Sequence, residues 1–64
     1  MIKVYKSNIE LFGTNEEHAT ISTEADYLEL YDGADDFVAS VRDNYPWITD
    51  KDAEDIRLAV ALRF

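Results

Sequence analysis

Apolar and polar residues alternate through the first half of the chain, and the period changes once, at Asp32-Gly33. From Ile2 to Phe12 the pattern is extended, with Ile2 and Val4 in one phase and Ile9 and Leu11 in the other. The phase change near Ser7-Asn8 predicts a bulge or two short strands. Gly13-Thr14-Asn15 is turn chemistry, because Gly and Asn tolerate positive φ. His18 to Thr23 alternates again, with Ala19 and Ile21 inward and His18, Thr20 and Ser22 outward. After a turn at Glu24-Ala25-Asp26, the segment Tyr27 to Tyr31 reads as a strand. Leu28 and Leu30 would face one way and Tyr27, Glu29 and Tyr31 the other.

Beyond Gly33 the spacing becomes helical. Ala34, Phe37, Val38, Val41 and Tyr45 fall at i, i+3, i+4, i+7 and i+11, one apolar face of a helix over 33–45. Asp32 is the expected N-cap, with Asp35 and Asp36 in the first turn, where the helix dipole favours negative charge. Asn44-Tyr45-Pro46 ends it, since the residue before a proline is pushed out of helical geometry. Thr49, with Asp52 three residues on, predicts the capped start of a second helix over 50–63. Ile56, Leu58, Val60, Leu62 and Phe64 also alternate as a strand would; three alanines and the cap favour the helix. The expected architecture is α+β and single-domain, over residues 1–64. A three-stranded antiparallel sheet within 1–31 is followed by two helices on one of its faces (β-β-β-α-α).

The second helix has two apolar sides. Ala53, Ile56, Ala59, Val60 and Phe64 make one stripe, while Leu58 and Leu62 fall elsewhere with Ala61 beside them. Either the first helix covers Leu58 and Leu62, or they form a surface for a second copy or another protein. Trp47, directly after Pro46, is expected to plug the core between the helices.

Composition narrows the class. A chain of 64 residues with no cysteine has neither a disulfide staple nor a Cys-based zinc site. At this size folding buries only about 60% of the unfolded surface, so stability is marginal and oligomerisation is one usual remedy. A hydrophobic content of 47% is too high for a disordered acidic tail. No apolar run approaches the roughly 18 residues of a membrane span, and the first residues lack the apolar core of a secretion signal. The expectation is a cytoplasmic protein that binds no membrane.

Charge gives the strongest signal. Net charge is −8, and between Ser7 and Val41 there is no Lys or Arg at all. That window holds Glu10, Glu16, Glu17, Glu24, Asp26, Glu29, Asp32, Asp35 and Asp36. Such a field attracts cationic partners and repels nucleic acid, so direct binding to DNA or RNA is not expected. Reading 34–62 as a DNA-binding helix-turn-helix fails for the same reason, because the second helix begins with acids.

Catalytic chemistry finds little to build on. There is one histidine, no cysteine and no glycine-rich phosphate loop; the glycines are Gly13 and Gly33. His18 follows Glu16 and Glu17 but sits at a strand end, where a surface residue is the ordinary reading. Asp50-Lys51-Asp52-Ala53-Glu54-Asp55 lacks the glycine and terminal glutamate of a calcium loop, and reads as a helix start. No catalytic residue, metal site or cofactor is expected.

What remains is recognition. The expected partner-binding face comprises Glu10, Glu16, Glu17, Glu24, Asp26, Tyr27, Glu29, Tyr31, Asp35 and Asp36, with phenol rings set among carboxylates to meet Arg and Lys. In size, acidity and lack of cysteine the chain is similar in character to phage-encoded anti-defence proteins, including anti-CRISPR and anti-restriction DNA mimics. That likeness is one of composition. It implies an inhibitor that docks on the basic, nucleic-acid-binding surface of a target protein. The alternative is a non-enzymatic structural or regulatory subunit that forms a homodimer through Leu58 and Leu62.

Overall fold

The computed structural model describes residues 1–63. The opening extended stretch divides where its apolar phase changes, into β1 (Ile2–Val4) and β2 (Asn8–Phe12); β3 (His18–Ser22) follows. The three form an antiparallel meander in the order β1-β2-β3. Ile9 lies opposite Ile21, Leu11 opposite Ala19, Ile2 opposite Leu11 and Val4 opposite Ile9. Directly opposed residues share a face. One face therefore carries these apolar side chains, and the other carries Lys3, Glu10, Phe12, His18 and Thr20. The apolar face packs under the helices, where Ile9, Leu11 and Ile21 are buried.

The third strand thus comes from the division of 2–12, and the expected strand at 27–31 does not form. That segment is helical: α1 (Ala25–Leu28) continues into tight turns in which Leu30 N–H donates to Tyr27 C=O and Tyr31 N–H to Leu28 C=O. Five alternating residues fit both periods, because Tyr27/Tyr31 and Leu28/Tyr31 are also helical i, i+4 and i, i+3 pairs. The helical choice buries Leu28 alone and brings both tyrosine rings onto Phe37. A strand would have sent Leu28 and Leu30 to one face; instead Leu30 stands 76% exposed.

Two longer helices complete the chain, α2 (Ala34–Asn44) and α3 (Asp50–Ala61). The cap of α2 is Gly33, at φ 136°, a conformation that strains any residue with a Cβ. Asp32 lies outside the cap position and is exposed, so its expected capping role is not realised. Thr49 does cap α3, its hydroxyl accepting from Asp52 N–H at 3.1 Å. The alternation over 56–64 resolves as helix through Ala61; Phe64, assigned to the apolar stripe, lies outside the described residues. Arg42 on α2 closes the helix hairpin with a 2.9 Å ion pair to Asp50.

Ile56, Val60 and Phe37 are fully buried, together with Ile9, Leu11 and Leu28. Each such side chain contributes about 1.5–3 kcal/mol through removal from water. Ile48 is buried in the inter-helix loop, while Trp47 beside it is half-buried against Tyr45 at a ring distance of 5.9 Å. Two polar ties hold the sheet to α3. The Met1 ammonium donates to Phe12 C=O and pairs with the buried Asp52 carboxylate at 2.9 Å. At the far end, Arg63 donates to the carbonyls of Tyr5 and Lys6 in the β1–β2 turn, and to Ala59 C=O.

Candidate partner-binding surface

Ion pairing sorts the carboxylates by element. On α3 they are matched: Lys51 with Asp55, Arg57 with Glu54, Arg42 with Asp50. The Arg57 guanidinium donates two hydrogen bonds to Glu54 and holds its carboxyl below the usual range; Arg57 is raised in turn, chiefly by Glu54 and slightly by Asp35. On the sheet, Glu10 accepts from the Tyr5 hydroxyl and lies 4.0 Å from His18 Nε2. That neighbourhood also has Lys3 over the Phe12 ring and His18 stacked on Phe12. Glu17 accepts the Asn15 N–H within the β2–β3 turn.

A different set makes no ion pair. Glu24, Asp26, Glu29, Asp32, Asp35 and Asp36 are all exposed, and none makes an ion pair or side-chain hydrogen bond among the described residues. They fall on α1, the turns after it and the first turn of α2. Glu16 in the β2–β3 turn and Asp43 on α2 are likewise exposed without an ion pair, so the segment 24–36 is the largest concentration of unmatched charge rather than all of it. Of the residues expected on one acidic face, the fold brings Glu24, Asp26, Tyr27, Glu29, Tyr31, Asp35 and Asp36 into this segment. Glu10, Glu16 and Glu17 lie apart, on the outer sheet face and the β2–β3 turn. Asp32 joins the segment, because Gly33 takes the capping position that would have given Asp32 a local role.

Tyr27 and Tyr31 serve this segment as scaffold as well as surface. Their rings meet at 5.8 Å, and each presents an edge-to-face contact to Phe37, at 6.2 and 5.2 Å. The two tyrosines and Phe37 thus form an aromatic triad between α1 and α2. Their hydroxyls form a chain, Tyr27 to Tyr31 at 3.3 Å and Tyr31 to Ser40 at 3.5 Å. Hydrogen bonding to Ser40, then to Tyr27, lowers the Tyr31 pKa. Tyr27 is raised, chiefly by its bond to Tyr31. Tyr27 is exposed and Tyr31 half-buried, and Tyr31 lines a cleft together with Glu29.

Two further features lie near this segment or on α3. An open cleft of about 380 Å³ is lined by Ala25, Leu28, Glu29, Tyr31 and Arg63, so it carries both charges. Leu58 on α3 and Leu62 just beyond its end are 53% and 90% exposed, which shows that α2 does not cover them.

No protein-family model, curated protein or solved structure matches the chain. Among the described residues no helix is long and apolar enough to cross a membrane, and no three His, Asp or Glu side chains are grouped to hold a metal ion.

Proposed function

We propose that this chain is an acidic protein-binding module that docks on a basic surface of a target protein through residues 24–36. The observation that carries the reading is the contrast in pairing. Cations pair with the carboxylates of α3, whereas six exposed carboxylates over 24–36 (Glu24, Asp26, Glu29, Asp32, Asp35, Asp36) make no ion pair among the described residues. Exposed carboxylates beside aromatic edges suit Arg and Lys, and an unscreened field accelerates encounter with a cationic partner.

Charge density favours one form of this reading, occupation of a nucleic-acid-binding groove as a DNA-mimicking, anti-defence type of inhibitor. The molecule is 31 Å long and carries −8. One strand of a duplex, at a phosphate per about 3.4 Å, carries about nine charges over that length, and both strands about eighteen. The charge suits imitation of a single strand's phosphates better than of a whole duplex.

Calorimetry with an octa-arginine peptide tests the reading. Affinity should fall steeply with salt, and reversal of Glu29, Asp35 and Asp36 to Lys should abolish most of it. The same charge change placed at Asp43, Asp50 and Asp55 should weaken binding much less. Equal effects from both sets would leave only net charge at work. A second reading, self-association through α3, rests on the exposed Leu58 and Leu62. It predicts a dimer by light scattering that Leu58→Asp makes monomeric; a wild-type monomer at high concentration excludes it.

A further inference from the structure

The helical fold of 27–31 leaves β3 as an open sheet edge. Which of its backbone groups face outward follows from two hydrogen bonds that flank the strand: Thr23 N–H donates to Ser7 C=O, and Gly13 N–H to Glu17 C=O. In the β2–β3 register, Ser7/Thr23 and Gly13/Glu17 continue the pairs Ile9/Ile21 and Leu11/Ala19. Hydrogen-bonded and non-bonded pairs alternate along an antiparallel ladder. The odd-numbered residues of β3 therefore bond to β2, and His18, Thr20 and Ser22 direct their N–H and C=O groups away from the sheet. None of these groups has a backbone partner among the described residues.

Edges of this kind are usually blunted by Lys, Pro, a bulge or a covering element. The opposite edge, β1, is only three residues long and carries Lys3. β3 is five residues long and has neither Lys nor Pro. Its only charges lie at the ends, Glu16 and Glu17 before it and Glu24 and Asp26 after it. Antiparallel pairing of two copies about Thr20 would set Glu16 opposite Glu24 twice over, and directly opposed like charges are destabilising. The same charges complement a strand with basic flanks.

We propose that the β3 edge accepts an extended segment of the cationic partner as a fourth strand, with Lys or Arg on either side of four or five pairing residues. Main-chain bonds to His18, Thr20 and Ser22 hold the segment, and the flanking acids select its charge. This rests on the proposed docking to a basic partner and adds where and in what conformation that partner is held.

Amide hydrogen exchange with the peptide Lys-Lys-Val-Thr-Val-Thr-Val-Lys-Lys tests it. In the free protein the Thr20 and Ser22 amides should exchange fast and those of Ala19 and Ile21 slowly. Saturating peptide should slow Thr20 and Ser22 at least tenfold. Thr20→Pro removes only an outward N–H and should abolish that protection while the spectrum of the rest of the sheet is kept. A peptide N-methylated on alternate residues should likewise fail, without any change to the protein. Binding that perturbs 24–36 but leaves the Thr20 and Ser22 amides fast would overturn the edge proposal and leave the acidic docking face standing. Edge protection that is insensitive to salt, and is retained by a peptide with Ser for Lys, would do the reverse.

Discussion

Replacing Thr23 by Val should make this protein more stable. Thr23 is 2% exposed, and its hydroxyl oxygen is buried with no hydrogen-bond partner, while its backbone N–H is satisfied by Ser7. A buried hydroxyl left unpaired costs about 1–3 kcal/mol. Valine has the same branched shape and strand preference, and the added methyl group contributes up to about 0.8 kcal/mol of burial. The smaller figures give a gain of about 1–2 kcal/mol. Against a total stability of roughly 3–10 kcal/mol for a chain of this length, that is a large fraction. Urea unfolding followed by circular dichroism should show the midpoint rising by about 1–2 M with an unchanged slope, for a slope near 1 kcal/mol/M. Thr23→Ser keeps the hydroxyl and loses the methyl, and should be less stable than wild type. A valine variant equal to or weaker than wild type would show that the hydroxyl is satisfied and refute the reasoning.

Ile56→Ala, at a fully buried site shared by sheet and helices, should cost about 2–5 kcal/mol and leave much of the chain unfolded by circular dichroism at room temperature. Leu62→Ala, at 90% exposure, should change the unfolding midpoint by less than about 0.5 kcal/mol equivalent. Glu16 holds φ +65°, a left-handed conformation that Asn adopts more readily, so Glu16→Asn should stabilise by about 0.5–1 kcal/mol in urea unfolding. In an NMR pH titration Tyr31 should ionise below, and Tyr27 above, the ordinary tyrosine value; Ser40→Ala should move Tyr31 upward. The Tyr31 hydrogen bonds favour its phenolate, so their contribution to stability grows as pH rises through the lowered folded-state pKa and is complete above the unfolded-state value.

The helix pair was legible in the sequence because three turns of i, i+3, i+4 spacing and a Thr49/Asp52 cap leave little room for another reading. Over 27–31 five residues carried too little pattern. The helix sets Tyr27 and Tyr31 one turn apart with both rings on Phe37, a tertiary contact that the local pattern does not encode. The phase change at Ser7-Asn8 marked the division that supplies the third strand. The acidity of the chain could be read directly, but its distribution could not. Which carboxylates meet a cation depends on Arg42 reaching Asp50 across a loop and on Arg57 turning back to Glu54. Local sequence likewise suggested a cap for Asp32, a role that Gly33's backbone took instead. The open β3 edge follows from the helical fold of 27–31, since a strand there would have been free to cover it.

The central claim, that the unmatched acids of 24–36 form the face that meets a cationic partner, is tested most directly by mapping octa-arginine onto the protein by ¹⁵N NMR at low salt. The predicted result is a set of shift changes concentrated on Glu24 to Asp36, reaching Phe37 through the tyrosine rings and fading as salt is added. Changes spread evenly over every exposed acid, or centred on Asp50, Glu54 and Asp55 of α3, would contradict it.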